Sequence, residues 1–179
     1  QKYKELFMNG DITYREFCEL EVAHWKGADF REIKNLFNNL QTPQNLFLAL
    51  KTFKNMGFRL VAISTGIQFV SEKLNLKEYF DDIFFNEIEI RNGKLTGRVK
   101  INVDNKLKLL DKYLDEHNLK YENTIVVGDG DNDVEIAKNV GYSIAFCPNS
   151  PKMSEIASCV VDEFDYSKII DKIKLLEEK

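Results

Sequence analysis

Three aspartates and an asparagine crowd into one short stretch, Gly128-Asp129-Gly130-Asp131-Asn132-Asp133, directly after the apolar run Thr124-Ile125-Val126-Val127. A β-run that ends in an acidic loop and then opens a helix puts its carboxylates at the carboxyl end of a strand, where parallel sheets bind ligands. Asp129 and Asp133 can converge there. Oxygen donors of this kind suit Mg²⁺, which keeps several waters and takes one or two protein carboxylates together with substrate phosphate. So many like charges at one strand end repel one another unless a cation sits among them. Gly128 and Gly130 let the backbone come close to a ligand. Helix capping by Asp131 to Asp133, with a turn at Gly130, is the plainer reading of the same residues.

Two weaker signals precede this one. Ile63-Ser64-Thr65-Gly66 also lies at a strand end. A hydroxyl and backbone N–H groups there can hold a phosphoryl oxygen without adding charge, although a serine capping a helix would look the same. Lys106 stands early in an amphipathic stretch, with Lys108 and Lys112 as local rivals.

The elements that must position these residues follow from periodicity and punctuation. Residues 1–9 read as a helix stopped by Gly10. Thr13 with Glu16 has the spacing of a capping box, opening a helix that carries Phe17, Leu20 and Trp25 and ends at Gly27. Asp29 to Leu40 gives a third helix, and Thr42-Pro43 opens a fourth that stops near Gly57. Arg59 to Ile63 is a buried strand feeding the polar loop Ser64-Thr65-Gly66, with a helix over Gln68 to Leu74 behind it. Asp82 to Phe85 is a strand, and Glu87 to Val99 alternates around Asn92-Gly93, the signature of a two-residue hairpin. A helix over Asn105 to His117 and strands at Thr124–Val127, Tyr142–Phe146 and Cys159–Val161, with helices between and after them, complete the chain. The alternation predicts an α/β fold: a Rossmann-like parallel sheet with helices on both faces. A helical cap is expected over residues 1–42, the α/β core over 43–179, and the hairpin as an insertion.

Composition narrows the partners. The chain has 179 residues, 44% of them hydrophobic, and a formal net charge of −4. A core is affordable, and nothing in the charge balance favours nucleic acid or an anionic membrane. Bound phosphate must therefore be held by local cations, backbone N–H groups or a metal. Cys18, Cys147 and Cys159 show no C-x-x-C spacing, which argues against a disulfide framework and a structural zinc, and fits a cytoplasmic protein. No apolar run reaches the roughly 18 residues of a membrane span. The oligomeric state is left open.

Taken in order, Ser64 after a strand, a lysine before the last βα units, and the Gly128–Asp133 loop resemble three successive motifs of the haloacid dehalogenase (HAD) superfamily. The Asn92–Gly97 hairpin, the Gly141–Phe146 stretch and a short helical cap ahead of Ser64 resemble its phosphoserine-phosphatase-like branch. The resemblance implies an Mg²⁺-dependent phosphomonoester hydrolase that acts on a small phosphorylated metabolite through an aspartyl-phosphate intermediate. It implies catalytic roles for Lys106, Ser64 and Asp133, substrate contacts from Ser64, Thr65, Gly66 and Asn132, and metal binding at Asp129 and Asp133. Asp133 would act through the metal's surroundings or by orienting Lys106. The same resemblance sets Glu21 roughly where the branch uses an arginine to hold the substrate carboxylate, which disfavours phosphoserine.

One part of the pattern is missing. No D-x-D-x-T, the family's nucleophile motif, occurs in the sequence. The resemblance places its strand centrally, beside the Leu60–Ile63 and Thr124–Val127 strands, so the expectation is a chain lacking the central first strand and inactive as it stands. The alternative is a non-catalytic module that binds a phospho-ligand or a partner through a degenerate site.

Overall fold

The computed structural model describes residues 2–177. In chain order it contains α1 (Lys2–Met8), α2 (Tyr14–Ala23), α3 (Phe30–Leu36), α4 (Leu46–Asn55), β1 (Val61–Ile67), α5 (Phe69–Lys73), β2 (Asp82–Arg91) and β3 (Lys94–Lys100). Then come α6 (Lys106–His117), β4 (Ile125–Gly128), α7 (Val134–Ala137), β5 (Tyr142–Phe146), α8 (Pro151–Ile156), β6 (Cys159–Val161) and α9 (Ser167–Glu177). These elements fall into two compact units, each discontinuous in sequence. One is residues 1–41 with 61–104, the other 42–60 with 105–179. The fold is α/β, with parallel strand pairing flanked by helices, as expected.

In the first unit the sheet order is β1-β2-β3, with β1 parallel to β2 and β2 antiparallel to β3. The Asp82–Phe85 strand and the first arm of the hairpin are one continuous β2. Asn92 and Gly93 have φ of 50° and 74°, the left-handed pair that a type I′ turn requires. Thr13 caps α2 as its spacing predicts: its hydroxyl accepts from Glu16 N, and the Glu16 carboxylate accepts from Thr13 N at 2.8 Å. The helices before residue 42 pack on the sheet of this unit. Phe69 of α5 is fully buried against the rings of Phe30 and Phe37, and Val22 of α2 joins Ile88 and Leu95 of the hairpin in the same cluster. Three short helices have too little apolar surface to close a core, so they borrow the sheet's.

In the second unit the order is β4-β5-β6, all parallel. Alternation along β5 feeds two cores. Ile144 and Phe146 face Ala49 and Phe53 of α4 and Ile169, Ile170 and Ile173 of α9, while Ala145 meets Val134 and Ala137 of α7 and Met153 of α8. A fully buried isoleucine contributes roughly 1.5–3 kcal/mol, more than an exposed pair such as Arg31–Asp29. This second core sets the position of β4, whose tip carries the acidic loop. No helix among the described residues is long and apolar enough to cross a membrane.

Candidate functional site

β4 ends at Gly128, and the chain turns through a 3₁₀ segment, Asp131–Asp133, into α7. The turn buries Asp133, which is 5% exposed. Its Oδ1 accepts from Lys106 Nζ at 2.7 Å, and its Oδ2 accepts from the backbone N–H groups of Asp129 and Gly130 at 3.2 and 3.3 Å. Both carboxylate oxygens are thus committed to protein donors. Lys106 opens α6, where Asn105 supplies the cap by accepting from Lys108 N at 2.9 Å. A cation in the first turn opposes the helix dipole; burial beside Asp133, with the two side chains 11% and 7% exposed, accounts for it. The rivals are disposed differently: Lys108 is exposed and Lys112 pairs with Glu116 on the same helix.

Asp129 points the other way and is exposed. Asn149 grips it twice, N–H to its carbonyl at 2.9 Å and Nδ2 to Oδ2 at 2.7 Å. Ser150 donates to Asp131 and caps α8 by accepting from Met153 N. These two residues escape a reading of motifs alone. The signal for them is a polar turn, Pro148-Asn149-Ser150-Pro151, after β5, whose tip is adjacent to that of β4 in a parallel pair. A cavity of about 320 Å³ opens beside Asp129, walled mainly by apolar residues such as Val127, Phe146 and Tyr166. Burial, reinforced by the nearby charges of Asp129 and Cys147, pushes the Tyr166 phenol up to about 12. Asn132 lies exposed in the 3₁₀ segment.

The donor set bears on a metal. Among the described residues no group of three or more His, Cys, Asp or Glu side chains gathers to hold an ion. Asp133 already accepts three protein N–H groups, whereas Asp129 and Asp131 are exposed. So sparse a set of exposed carboxylates is poor for Zn²⁺ or Ca²⁺ but compatible with Mg²⁺, which retains water and shares phosphate oxygens.

Gly128 is where the arrangement is tightest. A Cβ there would lie 2.6 Å from Asp133 Cβ and Cγ. Gly128→Ala is expected to push Asp133 off Lys106 and to cost about 1–3 kcal/mol, as overpacking does; equilibrium urea unfolding measures it.

Ser64, Thr65 and Gly66 belong to the other unit. The sequence predicts a loop there, but the structure carries β1 on to Ile67 with an irregular register. Ile63 pairs with Phe84 and Ile67 with Asn86, so Ser64 to Gly66 bulge opposite the single residue Phe85. The Ser64 hydroxyl is exposed and accepts from Gly66 N at 3.0 Å, which leaves its own proton available to donate.

Known proteins resemble this chain along most of its length. The family model for haloacid dehalogenase-like hydrolases matches residues 2–141. Phosphoserine phosphatase of Methanocaldococcus jannaschii is 27% identical over 170 residues, spanning 93% of this chain and 80% of that protein. The phosphoserine phosphatase of Archaeoglobus fulgidus is 28% identical over 148 residues, 81% of this chain, and the match covers 43% of that longer protein. The substrate-bound structure of a phosphoserine phosphatase superposes with a TM-score of 0.80 at 26% identity, covering 96% of this chain and 82% of that one. An extended family match, the same branch among relatives and the same fold converge: the chain belongs to the haloacid dehalogenase-like hydrolases, in their phosphoserine-phosphatase-like branch.

Proposed function

We propose that this protein is an Mg²⁺-dependent phosphomonoesterase for a small phosphorylated metabolite. The observation that carries the reading is the buried Lys106–Asp133 pair set directly behind Asp129 at a strand tip. Phosphoryl transfer is largely positioning and electrostatics. Lys106, held by Asp133, supplies fixed positive charge to phosphoryl oxygens. Ser64 donates its hydroxyl proton to another, with the Thr65 and Gly66 backbone beside it, and Asn132 helps to place the ester. Asp129 holds Mg²⁺, with Asp133 supporting it from behind, and the ion when bound offsets phosphate charge. The family route runs through an aspartyl phosphate. No aspartate in this sequence stands in the D-x-D-x-T pattern that forms it. Phosphate release from p-nitrophenyl phosphate should require Mg²⁺ and stop with EDTA. A folded, Mg²⁺-loaded protein that hydrolyses no phosphomonoester sinks the reading. The relatives named above are phosphatases and lend the binding-module alternative no support.

The substrate need not be phosphoserine. On α2 the Tyr14 hydroxyl donates to the Thr65 carbonyl at 3.0 Å, Cys18 touches Tyr14 one turn on, and half-buried Glu21 lies within electrostatic reach of Cys18. A carboxylate on this face repels a substrate carboxylate and suits an ester that lacks one. Glu21→Arg should raise kcat/KM for phosphoserine relative to p-nitrophenyl phosphate by about tenfold, the effect of ~1.4 kcal/mol. An unchanged ratio places Glu21 outside the substrate's reach.

A further inference from the structure

Asn86 of β2 is 1% exposed, and its amide is saturated. Oδ1 accepts from the backbone N–H groups of Asn102 and Val103, both at 2.9 Å. Nδ2 donates to the Tyr14 hydroxyl and to the Thr65 carbonyl, both at 3.0 Å. Two N–H groups and two lone pairs are all that an asparagine amide offers. Tyr14 closes a triangle by donating to the same Thr65 carbonyl at 3.0 Å. Burial, with the Cys18 contact adding to it, holds the Tyr14 phenol far above its ordinary range, so it remains a proton donor throughout the working pH range.

These partners come from separate stretches of the first unit. Tyr14 belongs to α2, Thr65 to the β1 bulge directly behind Ser64, and Asn102 and Val103 to the segment that leads into Lys106. Val103 itself is fully buried. One side chain thus ties a helix, the hydroxyl-bearing bulge and the approach to the lysine. We infer that Asn86, assisted by Tyr14, is a positioning residue that fixes the Ser64–Gly66 bulge and the Asn102–Val103 segment. The inference rests on the phosphohydrolase reading for its catalytic consequence, though not for its geometry. Aspartate is nearly isosteric but has no N–H to give, and it would set a carboxylate against the Thr65 carbonyl. Leucine would leave the Asn102 and Val103 N–H groups, the Thr65 carbonyl and the Tyr14 hydroxyl without the amide, and the bulge would loosen.

The test uses Asn86→Asp and Tyr14→Phe in the full-length protein, the second removing a single hydroxyl. With p-nitrophenyl phosphate, kcat should fall about tenfold or more in Asn86→Asp and roughly threefold in Tyr14→Phe, with KM within about twofold, the pattern of lost transition-state positioning. In both variants hydrogen exchange at Gly66 N, which is bonded to Ser64 Oγ, should accelerate by about tenfold or more. Exchange at Leu95 N, bonded to the Ala28 carbonyl in the same unit, should hold steady and exclude general loosening. An active parent whose kcat is unchanged in both variants overturns the inference, as does unchanged Gly66 exchange. If the parent hydrolyses nothing, the phosphohydrolase reading fails by itself, and Gly66 exchange still decides whether Asn86 holds the bulge.

Discussion

Asp133→Ala is expected to lower stability by about 3–5 kcal/mol, the cost of removing one partner from a buried ion pair. The change does two kinds of damage. It leaves the Lys106 ammonium, 11% exposed, with no counter-charge, and it strips the acceptor from the Asp129 and Gly130 N–H groups. For a chain of this size the melting temperature should drop by roughly 6–20 °C. Lys106→Met should cost less, because Asp133 keeps its two backbone donors. In the double variant the uncompensated ammonium is gone, so it should be more stable than Asp133→Ala alone, a coupling that a double-mutant cycle isolates. Urea unfolding of the four proteins measures all three terms. If Asp133→Ala costs under about 1 kcal/mol, the pair behaves like an exposed salt bridge, and Lys106 is not the fixed charge that phosphoryl stabilisation requires.

Local signals in the sequence translated into structure where the chain itself determines the outcome. The Thr13–Glu16 capping box and the Asn92-Gly93 turn depend only on neighbours in sequence, and the apolar runs that become β4, β5 and β6 mark buried strands without naming their partners. The packing of the first helices was not legible, because it depends on which surfaces find each other. Residues 1–42 read as helices alone, yet Val22 is buried, and Phe30 and Phe37 partly buried, against elements from residues 67–95. The extension of β1 through Ser64, Thr65 and Gly66 was hidden for a related reason: small polar residues read as loop, and only the partner strand shows that they are a bulge.

At the candidate site the residue types were visible and their division of labour was not. Asp129 and Asp133 look equivalent on the page. Burial separates them, since the turn into α7 carries Asp133 inward onto Lys106 and two N–H groups while Asp129 stays exposed. Lys106 could not be told from Lys108 by periodicity, because both lie in the first turn of α6. Asn149 and Asn86 carry no motif. Each matters through a contact across the sheet, Asn149 to the adjacent strand tip and Asn86 to three remote segments.

That separation yields the sharpest expectation for the metal. Asp129→Asn preserves shape and can still meet Asn149, so the fold should hold within about 1 kcal/mol. What it removes is the exposed carboxylate proposed to hold Mg²⁺. In the parent, Mg²⁺ at a hundredfold excess over its Kd should add about 2.7 kcal/mol to stability; in Asp129→Asn the increment should vanish, and hydrolysis should fall by about 100-fold or more, beyond 2.7 kcal/mol of transition-state stabilisation. Asp131→Asn is the control, being a neighbouring exposed carboxylate that is occupied by Ser150. It should lose about 1 kcal/mol of stability, as a hydrogen bond to a charged group weakens, and keep its response to Mg²⁺. Thermal unfolding with and without the ion separates the two variants even before any substrate is added. Should Asp131→Asn abolish the Mg²⁺ increment while Asp129→Asn retains it, the ion sits on the other side of this loop, and Lys106 and Asp133 lie behind the wrong carboxylate.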